Sequence, residues 1–88
     1  AKSFQTYPQL LKNVRVEDSE LRQNWQHCQP LQQAIADAEK AMGNQGRVLV
    51  RPSGTEPLLR IMVEAVNADL ARHWTSTLVA CAEKHLAA

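Results

Sequence analysis

The sequence predicts an α+β domain in which a small antiparallel sheet, of about three or four strands, has two helices packed on one face. Three observations support this prediction. Two strand-like runs flank a polar loop between Arg47 and Ala65, a shorter alternating run lies nearer the N-terminus, and two amphipathic stretches each follow a strand. Grouped strands with helices after them favour separate layers of sheet and helix.

The composition is typical of one small domain. The 88 residues are 44% hydrophobic, which is enough for one modest core. The formal net charge is +1, with both signs mixed along the chain, and this argues against a nucleic-acid or membrane partner. No apolar run approaches the roughly 20 residues of a membrane helix, and no signal peptide is visible. We therefore expect a cytoplasmic protein.

The first strand is predicted just after a linker. Residues 1–12 contain Pro8, which interrupts a loose helical spacing, and we interpret them as a linker leading into a domain at residues 13–88. From Asn13 to Glu17, Val14 and Val16 alternate with polar residues, as in a short strand with one buried face.

The segment from Pro30 to Met42 is predicted to be a scaffold helix. Proline suits its first turn, and Gly43 is placed to end it with a left-handed conformation. Before it, Asp18 or Ser19 is expected to cap a short helical turn. The apolar face of the helix consists of Leu31, Ala34, Ile35, Ala38 and Met42.

The segment from Asn67 to Leu86 is predicted to be the second helix, with Asn67 as its N-cap. Its apolar stripe is expected to consist of Leu70, Trp74, Leu78, Cys81 and His85, widened by Val79, Ala82 and Leu86. Both helices are interpreted as scaffold without active residues.

The cysteines and histidines do not predict a metal site. Cys28 and Cys81 lie far apart in the sequence and fit no zinc or redox motif, and His73 and His85 lack the four-residue ligand spacing. Reduced thiols are the expected state, although one disulfide remains geometrically possible.

The polar loop from Arg51 to Pro57 is the candidate site, because its residues suit an anion. Arg51 offers a fork of donors that matches phosphate oxygens, and the hydroxyls of Ser53 and Thr55 are further donors. Gly54 allows a positive φ and a close approach of the backbone to a ligand. The alternative is a solvated loop whose hydroxyls bond to their own backbone.

Two charged residues beside the loop have open roles. Arg60 points to the more polar face of its strand, where it could add a second charge beside the phosphate or pair with Glu64 or Glu56. Glu56 could orient Arg51 or the loop backbone. No residue of the chain is predicted to be catalytic.

The run RPSGTEPLLRIMVE resembles the phosphate-binding loop and following strand of the phosphohexomutase superfamily. The specific match extends from Arg47 to Glu64, and the order of elements agrees more weakly from about Asn13 onward. The last domain of that superfamily carries an Arg-x-Ser-(Gly/Asn)-Thr-Glu-Pro pattern. The form with glycine, at Gly54, is most similar to the phosphoglucosamine mutase branch.

This resemblance implies a domain of a larger enzyme, an intramolecular phosphotransferase. The parent would interconvert glucosamine 6-phosphate and glucosamine 1-phosphate through a bisphosphorylated intermediate. A phosphoserine and Mg²⁺ would belong to other domains, which are the implied partners, so this fragment alone should be inactive and bind no cofactor. Its phosphate ligands would be Arg51, Ser53, Gly54 and Thr55, with Arg60 as a further candidate.

Two alternatives to that activity remain. One is the corresponding domain of a phosphomannomutase or phosphoglucomutase, since the residues that read the sugar would lie mostly outside this chain. The other is a module that binds phosphorylated ligands without catalysis.

Overall fold

The computed structural model describes residues 7–86, and the first half of the predicted linker lies outside them. Three strands and three α-helices follow one another as β1 (Gln9–Arg15), α1 (Ser19–Gln23), α2 (Gln29–Met42), β2 (Gly46–Pro52), β3 (Leu58–Ala65) and α3 (Ala68–His85), with short 3₁₀ turns at Trp25–His27 and Gly43–Gln45. The strands form an antiparallel sheet in the order β1-β3-β2. The predicted α+β fold is confirmed.

The helices cover one face of the sheet. α3 packs on β1 and β3, while α2 packs on β2 and on α3. Every second residue of the central strand β3 points into this interface and is buried, as the alternating pattern predicts. The fully buried core side chains include Val14, Val16, Leu31, Leu59, Ile61, Val63 and Leu78.

β1 begins earlier than the sequence pattern indicates. It starts at Gln9 and ends at Arg15, whereas the prediction placed a strand at Asn13–Glu17. Leu10 pairs with Val63 and packs against the core, so pairing with β3 extends the strand toward Pro8. Val14 and Val16 are both fully buried, as predicted. The division into linker and domain at residues 12 and 13 stays a prediction.

The helix ends follow the capping residues. The Asp18 carboxylate accepts a hydrogen bond from the N–H of Glu20 at 2.9 Å and so caps α1. Gly43 ends α2 with a φ of 55°, although its ψ of −123° lies outside the left-handed helical region. Asn67 caps α3 by accepting from the N–H of Leu70 at 2.8 Å. The caps at Asp18 and Asn67 agree with the prediction, whereas Gly43 ends α2 at the predicted position but not in the predicted left-handed helical conformation.

The buried stripe of α3 differs from the predicted one. Ala71, Thr75, Leu78 and Ala82 form its buried centre, and Leu70, Trp74 and Cys81 are half-buried at its margin. His85 is exposed rather than part of the stripe. Thr75 was missed because a polar side chain is not expected in the core. It is tolerated there because its hydroxyl donates to the carbonyl of Ala71 at 2.6 Å, so the buried polar group has a hydrogen-bond partner.

Candidate functional site

The sheet face turned away from the helices carries its side chains in rows, because the antiparallel register aligns every second residue across the three strands. The polar row is Gln9, Glu64 and Arg47; the apolar row is Leu11, Met62 and Leu49; the cationic row is Asn13, Arg60 and Arg51. The cationic row lies at the end of the sheet from which the polar loop emerges. This open face therefore changes from polar to apolar to cationic toward the loop.

Arg51 and Arg60 are directly opposite each other on β2 and β3. Both are exposed, and neither forms an ion pair with any residue between 7 and 86. Like charges directly opposite in an antiparallel pair destabilise it. A bound anion would remove that repulsion, since each guanidinium presents donors that fit phosphate oxygens.

The polar row shows why Arg60 has no carboxylate partner. Glu64 accepts from Arg47 Nε at 2.8 Å and from Gln9 Nε2 at 3.2 Å, so both carboxylate oxygens already have donors. Glu56 enters no ion pair among the described residues. The proposed pairing of Arg60 with Glu64 or Glu56, and the orienting of Arg51 by Glu56, are therefore not seen.

The loop from Ser53 to Pro57 is held at its base by backbone hydrogen bonds. The N–H of Ser53 donates to the carbonyl of Leu58 at 2.9 Å, and the N–H of Leu58 donates to the carbonyl of Glu56 at 2.7 Å. Val16, beyond the end of β1, donates its N–H to the carbonyl of Pro57 at 2.9 Å. The loop is thus tied to β3 and to the segment that follows β1.

The tip of the loop presents unused donors. No hydrogen bond within residues 7–86 occupies the N–H groups of Gly54 and Thr55 or the hydroxyl of Thr55. Ser53 is half-buried, and its Oγ accepts from the N–H of Glu56 at 3.3 Å. Part of the solvated-loop alternative is therefore realised, but the Ser53 hydroxyl proton remains available to a ligand.

Two expectations for the loop are wrong in detail. Strand pairing continues through Arg51 to Pro52, which faces Leu59, so Arg51 belongs to β2 and not to the loop. The proline stays in the sheet because β2 is an edge strand, where a missing N–H is tolerated. Gly54 does not adopt a positive φ; among the glycines only Gly43 does. A Cβ at Gly54 would meet no atom within 4 Å.

A pocket of about 220 Å³ lies on the open face, lined by Leu11, Leu49, Arg51, Arg60 and Met62. Of the predicted site residues, only the two arginines line it. Ser53, Gly54 and Thr55 lie in the adjoining loop, so the site consists of a cationic wall and a separate group of loop donors. The apolar residues were missed because sequence does not show which residues face each other across strands.

A metal site cannot be built from the described residues. Between residues 7 and 86, no three His, Cys, Asp or Glu side chains lie close enough to share an ion. Cys28 and Cys81 are both free and half-buried. No helix in the described part of the chain is long and apolar enough to cross a membrane.

The fold and the loop define a domain of the phosphosugar mutases. The sequence pattern of the family described as phosphoglucomutase/phosphomannomutase, C-terminal domain, matches residues 11–80. The chain belongs to this family.

Among its members, the chain is similar to phosphoglucosamine mutases. It is 68% identical over 85 residues to the enzyme of Trichormus variabilis, a match that covers 97% of this chain and 17% of that protein. The match to the enzyme of Synechococcus elongatus is 67% identical over 84 residues and covers 96% of this chain and 18% of that protein. The chain thus spans less than a fifth of the length of these relatives.

A solved structure shows the same fold. The Aspergillus fumigatus N-acetylphosphoglucosamine mutase, determined in complex with GlcNAc-6P and magnesium, superposes with a TM-score of 0.76 at 21% identity. The match covers 91% of this chain and 16% of that one. At this identity the likeness concerns the fold alone.

Proposed function

We propose that this chain is the phosphate-holding domain of a phosphoglucosamine mutase, an enzyme that interconverts glucosamine 6-phosphate and glucosamine 1-phosphate through a bisphosphorylated intermediate. The main support is the opposed pair Arg51 and Arg60, two exposed cations without a carboxylate partner among residues 7–86, beside a loop with unused donors. Family membership and the similar phosphoglucosamine mutases support the same activity.

In this proposal the phosphate that does not react lies between strand and loop. Arg51 and Arg60 bind its oxygens from the sheet side, and the loop supplies the Ser53 hydroxyl, the N–H groups of Gly54 and Thr55 and the Thr55 hydroxyl. These donors recognise a dianion and not the sugar. The same site therefore accepts the 6-phosphate in one half of the reaction and the 1-phosphate in the other.

The phosphoryl transfer itself belongs to other parts of the full-length protein. In this proposal a magnesium ion of the parent enzyme is held by another domain. Its phosphosugar substrate and the remaining domains are the partners of this chain, and the cytoplasm is the proposed location. The isolated chain should bind phosphate without turnover.

The kinetic test uses the full-length enzyme with Arg51→Ala. We expect kcat/KM to fall by about 10- to 150-fold in both directions, because hydrogen bonds to a charged group contribute about 1.5–3 kcal/mol. Arg72→Ala is the matched control, since Arg72 is also exposed but pairs with Asp69 on α3, away from the site. Equal kcat/KM values for the wild type and Arg51→Ala would overturn the assignment of the site.

The substrate is tested by comparing sugars in the same enzyme. We expect glucosamine phosphates to be turned over with a higher kcat/KM than mannose or glucose phosphates. A preference for mannose or glucose phosphates would keep the phosphate site but reject the amino-sugar substrate. An inactive full-length protein that still binds phosphate would instead identify a non-catalytic binding module.

A further inference from the structure

Val16 and Pro57 form an incomplete pair at the end of the polar loop. They lie one step beyond Arg15 and Leu58, the last paired residues of β1 and β3 at this end. The N–H of Val16 donates to the carbonyl of Pro57 at 2.9 Å, so the antiparallel register continues by one residue. Such a hydrogen-bonded pair normally exchanges two bonds between N–H and carbonyl groups. Here the second bond cannot form, because Pro57 has no N–H.

Arg22 supplies the donor that Pro57 lacks. Its Nη1 donates at 2.7 Å to the carbonyl oxygen of Val16, the acceptor that an N–H at position 57 would otherwise reach. Val16 is fully buried, so water cannot replace this donor, and an unpaired buried carbonyl would destabilise the fold. The short helix α1, which begins after its cap Asp18, returns the chain so that Arg22 reaches Val16.

Neither an ion pair nor packing explains the arginine at position 22. The side chain forms no ion pair with any residue between 7 and 86, and its Nε is buried without an acceptor in that part of the chain. A buried charged donor without an acceptor destabilises the folded state, whereas a methionine would bury a similar apolar stem without that loss. The hydrogen bond to Val16 is therefore the contact that explains an arginine here.

We propose that Arg22 is a positioning residue for the phosphate site, and that it acts by completing the pair of Val16 and Pro57 from outside the sheet. The inference rests on the proposed function, and it adds how the loop is held in shape before a phosphate binds. Without the Arg22 donor, the Val16 carbonyl would have to move to reach water. That movement would loosen the bond from Val16 to Pro57 and release the end of the loop.

The loop donors lie between two fixed points. At one end the N–H of Ser53 donates to the carbonyl of Leu58, and at the other end Pro57 is held by the pair described above. Gly54 and Thr55, whose N–H groups are the proposed phosphate donors, lie between these anchors. Fixing both ends reduces the conformational entropy that the loop loses when a ligand binds. Loss of one anchor should therefore weaken phosphate binding.

A double-mutant cycle on stability tests the link between Arg22 and Pro57. Arg22→Met removes the donor and keeps an apolar stem, and Pro57→Ala supplies a backbone N–H. We expect Arg22→Met to lower the folding equilibrium constant roughly tenfold in the wild-type chain, as for the loss of one hydrogen bond, and much less in the Pro57→Ala background. Urea unfolding measures both. Equal losses in the two backgrounds, or no loss in either, would overturn the proposal.

Phosphate binding tests the positioning role. The dissociation constant of inorganic phosphate is measured by amide NMR at constant ionic strength. We expect Arg22→Met to weaken binding about tenfold, the effect of ordering one more loop residue on binding. Arg22→Lys keeps a cationic donor and should lose less, and Pro57→Ala should restore binding to Arg22→Met. Asn67→Ala is the control, because it removes a helix cap at the opposite end of β3 and should bind phosphate as the wild type does.

The outcomes separate this proposal from the proposed function. If the wild-type chain failed to bind phosphate, the proposed function would fail, and the positioning role with it. If the wild type bound phosphate and Arg22→Met bound it equally well, only the positioning role would fail. Weaker binding that persisted in the Pro57→Ala background would assign the effect to the lost charge of Arg22, and this too would overturn the proposal. An equal loss in Asn67→Ala would do the same, since it would show an effect of global stability.

Discussion

Two arginines that face each other across neighbouring strands are the main residues of the proposed phosphate site. Arg51 was predicted from the loop motif, and Arg60 was placed on the correct strand face by alternation. Their juxtaposition was not predicted, because it follows from the register between β2 and β3. The sequence therefore shows that both residues are cations, but only the folded sheet shows that they lie opposite each other.

Replacing Arg60 by threonine should raise the stability of the ligand-free chain and weaken its stabilisation by phosphate. Opposed like charges cost roughly 0.2–1 kcal/mol, so Arg60→Thr is expected to raise the unfolding free energy of the isolated chain by that amount without ligand. Phosphate should then stabilise the wild type more than the variant. Urea unfolding with and without phosphate measures both effects. A variant less stable than the wild type in the absence of phosphate would contradict the repulsion.

Two glycines should differ in how much stability they lose when replaced by alanine. At Gly46 a Cβ would lie 2.5 Å from Met42 Sδ and 2.6 Å from the carbonyl oxygen of Glu64, so Gly46→Ala is expected to destabilise by about 1–3 kcal/mol. Gly54→Ala should change stability by no more than about 1 kcal/mol, since the space is open and φ is not positive. Thermal unfolding compares the two, and equal losses would contradict the described loop.

Cys81 provides a prediction on pH. Burial and the nearby charge of Cys28 raise the pKa of its thiol above the usual 9.0. A raised pKa leaves less thiolate at a given pH, so alkylation by iodoacetamide should be slow at pH 8 and still accelerate above pH 9. The folded state favours the protonated thiol, so its stability contribution is present below pH 9 and is lost as pH rises through the raised pKa. Mass spectrometry of peptides from the wild-type chain, alkylated at several pH values, resolves the Cys81 rate from that of Cys28. A midpoint at or below 9.0 would contradict the raised pKa.

Among the elements, the helices and the central strand were predicted more closely than the two edge strands. Their caps and apolar spacing are local, so α2 and α3 were located to within one residue at each end. β1 begins four residues and ends two residues earlier than predicted, and β2 continues two residues past its predicted end at Val50, because both edge strands depend on pairing with β3. The predicted bounds of β3, Leu58–Ala65, are confirmed. His85 was assigned to the wrong face of α3 because the stripe was centred one residue away from Ala71 and Ala82.

The cap of α3 allows a direct test at this scale. Asn67→Ala removes the acceptor that bonds the N–H of Leu70, and this should lower the free energy of unfolding by about 1 kcal/mol. Asn67→Asp keeps an acceptor at the same position and should retain nearly all of the stability. Denaturant unfolding distinguishes them. Identical losses in the two variants would show that the cap does not contribute as described.

In the whole molecule, the helices cover one face of the sheet and leave the other face open. This open face carries the polar, apolar and cationic rows. The α+β class and the polar loop between β2 and β3 were predictable from sequence. The rows were not, because they combine residues from three strands far apart in the chain.

In the proposed site, Arg51, Arg60 and the loop bind a phosphate dianion. The most direct measurement is a titration of the isolated chain with inorganic phosphate, followed by amide NMR at constant ionic strength with chloride as the control anion. We expect saturable shifts concentrated at the N–H groups of Gly54 and Thr55, which are lost in Arg51→Ala and retained in Arg72→Ala. Shifts spread over the surface, equal shifts with chloride, or none at millimolar phosphate would contradict it.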